Sequence, residues 1–216
     1  QDEVWDSSDI DLGYSYRPEL TPGASVTSTF TFTVPKVPAG TYYLLFKVDQ
    51  PNLIYESNED NNTLSKPITI KLPDLTVTSL QAPISASTQE TITVSWTVEN
   101  QGQGKATQNW YDILYLSTDT LLDNTDIFLG GYYWSPKFPL APSESYSQSQ
   151  SVSLPKIASG NYYLLLKTDH GNYLYESNEE NNLSAYAITI QIPDLLISSL
   201  QAPISASTQE TITVSW

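Results

Sequence analysis

The eighteen residues SLQAPISASTQETITVSW stand at positions 79–96 and recur without a change at 199–216, 120 residues later. In the first occurrence Ile92, Val94 and Trp96, continued by Val98, alternate with Thr91, Thr93, Ser95 and Thr97. A period of two places the apolar set on a buried face and the hydroxyl set on the other, so the stretch reads as a half-buried strand. Repetition of the whole block makes it the mark of a repeated unit.

Other stretches keep the same offset. YYLLFKVD (42–49) answers YYLLLKTD (162–169), and LIYESNEDNN (53–62) answers YLYESNEENN (173–182). DSSDIDLG (6–13) matches DNTDIFLG (123–130) at an offset of 117, so the second copy has three more residues between these blocks. Residues 73–192 form one complete unit, residues 1–72 the back part of an earlier copy, and residues 193–216 the first strands of a later one. A period near 120 is that of a whole domain and far exceeds solenoid repeats, which predicts beads joined by short linkers. The chain contains no Met, and we expect it to be a window of a longer array.

Within the complete unit, alternation or β-rich runs mark strands at 75–80, 92–98, 110–116, 127–134, 146–154, 162–168 and 185–192, parted by Pro, Gly, Asn and Ser clusters. On the fifth, Tyr146, Gln148, Gln150, Val152 and Leu154 face inward and Ser147, Ser149, Ser151 and Ser153 outward. Its counterpart has Val26, Phe30, Phe32 and Val34 inward between threonines, which predicts a strand there too. No stretch shows an amphipathic helical period. About seven short strands in a unit of this length predict an all-β fold, an immunoglobulin or fibronectin-III-like β-sandwich repeated in tandem. Tyr162, following Gly160, either forms a tyrosine corner or simply packs in the core, and a β-barrel is the alternative fold.

Composition excludes several function classes. Asp plus Glu number 24 against 9 Lys plus Arg, a formal charge of −15, so no polyanion-neutralising face exists and nucleic acid is not a partner. The absence of Cys removes disulfides, thiol nucleophiles and cysteine-held metals. No run of 18 apolar residues and no charged-then-apolar leader is present, which predicts neither membrane insertion nor a signal peptide in this stretch. The single histidine, His170, stands where the first copy has Gln50, so a histidine-dependent catalytic site would not survive from repeat to repeat. We expect no enzyme.

The series PDLTVTSLQAP (73–83), TVENQGQGKA (97–106), LYLSTDTLLDNTD (114–126) and SGNYYLLLKTDHGNYLYESNEENN (159–182) resembles the CARDB repeat, the cell-adhesion-related domain found in bacteria. The resemblance covers the complete unit and part of both fragments. Its most specific marks are Asn100, Gln101 and Gly102, and the run Glu176 to Asn182. It implies a sandwich fold and a non-catalytic structural or adhesive role, extracellular or at the cell surface.

Two acidic clusters recur. Asp119, Asp123 and Asp126, answered by Asp2, Asp6 and Asp9, lie in a Ser/Thr/Asn-rich loop and could offer hard oxygens to Ca²⁺, although the spacing is not that of an EF-hand. Their other reading is a solvated turn in which Asp caps nearby amides. Asp169, Glu176, Glu179 and Glu180, interleaved with Asn172, Asn178, Asn181 and Asn182, form the second cluster, answered by Asp49, Glu56, Glu59 and Asp60; its other reading is Asn and Asp side chains that satisfy their own loop backbone without an ion. These ten residues (Asp2, Asp6, Asp9, Asp119, Asp123, Asp126, Asp169, Glu176, Glu179, Glu180) are the candidate calcium ligands. In a sandwich the first cluster lies where the chain leaves and the second where it enters, so calcium would stiffen the junction between beads.

Two further surfaces stand out. Thr91, Thr93, Ser95 and Thr97 should lie beside Ser147, Ser149, Ser151 and Ser153 on one uncharged outer face. Trp110, Tyr111, Tyr132, Tyr133 and Trp134 could stack on sugars if exposed, or fill the core if not. The expected partners are other copies of the repeat, in an array or filament, with extracellular polysaccharide as the rival. Asn61 and Asn182 begin glycosylation sequons at non-equivalent positions, which reads as coincidence.

Overall fold

A computed structural model describes residues 2–17, 19–50, 52–135 and 139–216. Its first regular element is an antiparallel hairpin of β1 (Gly40–Lys47) and β2 (Thr63–Ile70). There follow β3 (Leu75–Gln81), β4 (Ser85–Ser87), β5 (Thr91–Asn100), β6 (Trp110–Ser117), β7 (Ile127–Trp134), β8 (Ser145–Ser153), β9 (Gly160–Lys167) and β10 (Leu183–Gln191). Strands β3, β5 and β8 make a three-stranded sheet in that order, and β4, β10, β9, β6 and β7 a five-stranded one. The two sheets enclose one apolar core and form the expected immunoglobulin-like β-sandwich.

Each sequence-read strand of the complete unit is present, and β4 is an eighth. Pro83 has no N–H to give a ladder, so the chain leaves the first sheet there and β4 pairs parallel with β10 in the second. The Thr189 amide then bonds to the Ile84 carbonyl at 3.0 Å and the Thr88 amide to Gln191 at 2.8 Å.

Periodicity accounts for the core. Ile92, Val94, Trp96 and Val98 of β5 are buried and face Leu164, Leu166, Ile188 and Ile190 of the other sheet. Outside, β5 and β8 run in register, and three hydroxyl pairs bond across them: Thr91 with Ser153 at 3.0 Å, Ser95 with Ser149 at 2.9 Å and Thr97 with Ser147 at 2.8 Å. Tyr162 forms the tyrosine corner, its hydroxyl donating to the Ala158 carbonyl at 3.2 Å, and Tyr42 does the same to Pro38 at 3.1 Å.

Asp112 of β6 sets a carboxylate among the core side chains. Asp112 accepts from Trp96 Nε1 at 2.8 Å, the Tyr146 hydroxyl at 2.7 Å and Thr168 Oγ1 at 2.7 Å. Tyr146 in turn accepts from Trp110 Nε1 at 2.9 Å and stacks on Trp134 with centroids 3.8 Å apart. Burial pushes the Asp112 carboxyl above its usual range, and the donors offset this only in part.

The strand expected over 26–34 does not form. Phe30 and Val34 are about half exposed, and no ladder includes them. Their counterpart β8 pairs with β5, and no equivalent of β5 precedes them in this chain, so the alternating pattern has nothing to pair with. Residues 199–216 likewise form only an isolated bridge between Gln201 and Ser215.

Candidate functional site

The two sequence blocks most specific to the repeat meet at one place, around the segment that leads into β3. Asn100, buried at the end of β5, accepts from the Asp74 amide at 3.0 Å and the Gly102 amide at 3.1 Å, and its Nδ2 donates to the carbonyls of Gly104 at 2.8 Å and Leu140 at 3.0 Å. The loop it shapes grips the linker backbone, the Gly104 amide donating to Leu72 at 2.8 Å and the Gln101 amide to Asp74 at 2.7 Å. Approach is so close that a Cβ on Gly104 would lie 2.4 Å from the Lys71 carbonyl oxygen, and one on Gly102 2.5 Å from that of Leu72. Only glycine fits at either position.

From the other side comes loop 168–182, between β9 and β10. Its Ser177 amide donates to the Pro73 carbonyl at 2.9 Å, Asn181 Nδ2 to Asp74 Oδ1 at 2.8 Å and to Thr76 Oγ1 at 3.1 Å, and Glu176 accepts the Leu75 amide. Between Leu72 O and Leu75 N every main-chain donor and acceptor is therefore bonded to one of the two loops, Pro73 having no donor to satisfy. The linker is held as part of the bead that follows it.

Loop 168–182 is built by its own side chains. Asp169 and Asn172 adopt positive φ, 41° and 48°, and the Asp169 carboxylate caps the amides of Tyr173 and Leu174, both at 3.0 Å. Glu179 Oε1 accepts the Glu176 amide at 2.9 Å, and Asn182 Nδ2 donates to Glu176 Oε1 at 2.9 Å. Asp169, Glu176 and Asn182 are all buried. Burial foremost, with the nearby charges of Asp169 and Glu179, raises the Glu176 carboxyl to about 7, and burial also raises that of Asp169. The first copy repeats the loop bond for bond: Asp49 caps Leu53 and Ile54 at 3.1 and 3.0 Å, and Glu59 caps Glu56 at 2.8 Å. There the carboxylates of Asp49, Glu56 and Glu59 converge, with oxygens within 4.8 Å of one another.

The cluster after β6 behaves differently. Asp123 Oδ1 accepts from the Thr125 amide and hydroxyl, both at 2.7 Å, Asp126 Oδ2 accepts the Asp123 amide at 2.8 Å, and Asp119 caps Leu121 at 2.8 Å. Asp6 and Asp9 repeat this turn with Ser8, while Asp2 caps Val4 at 2.9 Å. These carboxylates serve their own backbone. Glu180 is exposed. Register places loop 118–126 at the end where β10 leaves and loop 168–182 at the end where β3 begins.

The aromatic set divides. Trp110 is fully buried, and Tyr132 and Trp134 pack on the core. Tyr111 and Tyr133, opposite each other on β6 and β7, are 41% and 48% exposed with centroids 4.7 Å apart and planes tilted by 39°. With Tyr173, Gln108 and Asn109 they line a shallow groove of about 380 Å³. His170 stacks on Tyr115, and Asn182 is too buried for glycosylation.

The linker clasp thus uses the very blocks that marked the repeat, and the CARDB family model matches residues 1–66 and 72–185. The chain belongs to the CARDB family. The CARDB domain of a Pyrococcus furiosus protein, crystallised in complex with di-metal ions, is similar at 18% identity and TM-score 0.44, over 59% of this chain and 100% of that one. The solution structure of the same archaeal domain gives 21% identity and TM-score 0.43, over 56% and 97%. A Listeria innocua β-glucosidase shows 12% identity and TM-score 0.37 over 61% of this chain and 17% of the enzyme. No curated protein matches. CARDB is a non-catalytic domain family.

Sequence reading singled out Asn100 and the 176–182 block but not their joint task, because their shared partner, residues 72–75, is remote from both. A faint signal was present: the Leu-Pro-Asp-Leu of 72–75 recurs as Ile-Pro-Asp-Leu at 192–195.

Proposed function

We propose that this chain is an extracellular structural and adhesive module, forming a stalk, spacer or filament from tandem CARDB sandwiches. The observation that supports this reading is the clasp: the main chain from Leu72 O to Leu75 N is bonded throughout to the bead that follows, so the junction carries little free linker. A spacer needs that property, because reach per repeat is kept only when successive beads do not swivel. CARDB domains occur in bacterial surface and extracellular proteins, which agrees. No helix among the described residues is long and apolar enough to cross a membrane. Divalent cations stiffen the junction further, and copies of the same repeat are the partners in the assembly.

The test is length. Small-angle scattering from chains with increasing numbers of the repeat should give a maximum dimension rising in proportion to repeat number. Growth as the square root would remove the spacer reading. Gly104→Ala, which drives a Cβ into the linker, should move the wild-type behaviour towards the second pattern.

A second reading is favoured by the groove of Tyr111, Tyr133 and Tyr173. Half-exposed rings beside the amides of Gln108 and Asn109, with no charged group in the lining, suit a neutral glycan. Affinity electrophoresis in neutral polysaccharides, with Tyr133→Ala as control, separates the two: retardation lost in the variant supports the glycan module.

A further inference from the structure

Among the described residues only four buried side-chain nitrogen or oxygen atoms lack a hydrogen-bond partner, and three are acceptor oxygens within four residues of one another: Glu179 Oε2, Asn181 Oδ1 and Asn182 Oδ1. Buried acceptors left without a donor are costly, and so many in one loop need a reason. Turning the amides does not supply one. Asn182 is 1% exposed and its Nδ2 donates to Glu176, while that of Asn181 donates to Asp74 and Thr76; a flip would set each amide oxygen against a carboxylate. Both oxygens are therefore held where they stand.

Charge in the loop is equally unbalanced. Asp169 and Glu176 are buried beside Glu179, and Lys167 is the cation acting on Asp169. In the first copy the equivalent residues surround an open space: Asp49, Asn52, Glu59 and Asn62 line a cavity of about 150 Å³ together with Lys47, and Asp49, Glu56 and Glu59 bring their carboxylates together. Asn62 donates its Nδ2 to Glu56 as Asn182 does to Glu176, and it lines the cavity. The capping frame of the loop occurs twice in one chain, with and without a surrounding sandwich; the converged carboxylates stand in the first copy and the unbonded buried oxygens in the second.

We propose that loop 168–182 binds one calcium-class divalent cation through Asp169, Glu176, Glu179 and Asn182, and that loop 48–62 binds a second through Asp49, Glu56, Glu59 and Asn62. The donors are all oxygen, three carboxylates and an amide carbonyl, the hard set that a large, loosely coordinated cation takes and that zinc or copper does not favour. Glu179 Oε2 and Asn182 Oδ1 enter coordination with no bond to give up. Asp169 and Glu176 keep their amide partners, since each carboxylate oxygen has a second lone pair. The loop after β6 is not part of the site: its carboxylates cap a local turn, and none of them has a buried oxygen without a partner. The ion holds Glu176 in place, and Glu176 carries the Leu75 amide, so occupancy tightens the clasp. Binding is independent of the spacer reading; the tightening rests on it.

Calorimetric titration of the chelator-treated 216-residue chain with calcium chloride tests this. We expect saturable uptake of two ions per chain. Glu179→Gln keeps the acceptor for the Glu176 amide and should remove one site, or weaken it by at least about tenfold; Glu59→Gln should do the same for the other. Asp123→Asn with Asp126→Asn should change nothing. Absence of saturable uptake at about 10 mM calcium, above the range of weak extracellular modules, overturns the proposal; so does uptake that survives the double variant Glu59→Gln, Glu179→Gln. Hydrogen exchange at the Leu75 amide reads the clasp separately: slower exchange with calcium supports the tightening, and unchanged exchange removes it while the titration decides the site.

Discussion

The side chain of Glu176 accepts the main-chain amide of Leu75, a residue 101 positions earlier. This bond joins the loop between the last two strands to the first residue of the first one, and Leu75 is fully buried. Glu176→Ala leaves that amide unpaired, and we expect a loss of about 1 to 3 kcal/mol in denaturant unfolding of the chain. A change below about 0.5 kcal/mol would mean that water reaches the amide and that the clasp is open in solution.

Asn100 is the opposite anchor. Its Nδ2 faces the carbonyls of Gly104 and Leu140, so Asn100→Asp sets a carboxylate oxygen against two acceptors in a fully buried place. We expect a loss of about 3 to 5 kcal/mol, more than for Glu176→Ala, measured in the same way. Equal losses would show that the amide hydrogens of Asn100 contribute nothing.

Asp112 gives a pH test. Its carboxyl is held above the ordinary range by burial, so the native state binds that proton more readily than the unfolded chain does. The contribution of this group to stability is complete below the unfolded value of about 4 and is lost as pH rises through the raised native one. The stability difference between wild type and Asp112→Asn should move against the wild type with rising pH across that window. Independently, Asp112→Asn replaces one of the two oxygens that accept from three donors by an NH2 group and should cost about 1 to 3 kcal/mol. A pH-independent difference in urea midpoints would show that Asp112 titrates normally.

The outer hydroxyl ladder predicts tolerance. Ser95 and Ser149 bond only to each other through their hydroxyls on an outward face, and valine is a good strand former. The double change Ser95→Val, Ser149→Val should alter thermal stability by no more than about 0.5 kcal/mol. A loss above about 2 kcal/mol would indicate that this face packs against another layer.

Much of the sandwich was legible from residues 91–98 and 146–154, where alternation is strict and both faces are populated as the period requires. Strand β4 was not, because three residues behind a proline carry no period; its place comes from the unpaired edge of β10. The acidic loops were visible as composition, but which of them leaves oxygens free depended on hydrogen-bond partners. Asp123 and Asn182 look alike as letters, yet the first is exposed and caps Thr125 while the second is left with a buried bare oxygen.

The repeated block separates what is local from what is not. In both occurrences the turn is the same: Gln89 and Gln209 have φ of 66° and 69°, the Glu90 and Glu210 amides donate to Ser87 and Ser207 at 3.1 Å, and both glutamates cap those serines in return. Eighteen identical residues sufficed for that, since every bond closes within three positions. Burial was decided elsewhere. Ile92, Val94 and Trp96 are 3%, 0% and 2% exposed, whereas Ile212, Val214 and Trp216 are 43%, 37% and 81% exposed. The first set has β8 to complete its ladder and a second sheet to pack against; the second set has neither, and an apolar face becomes a core only where other chain segments cover it.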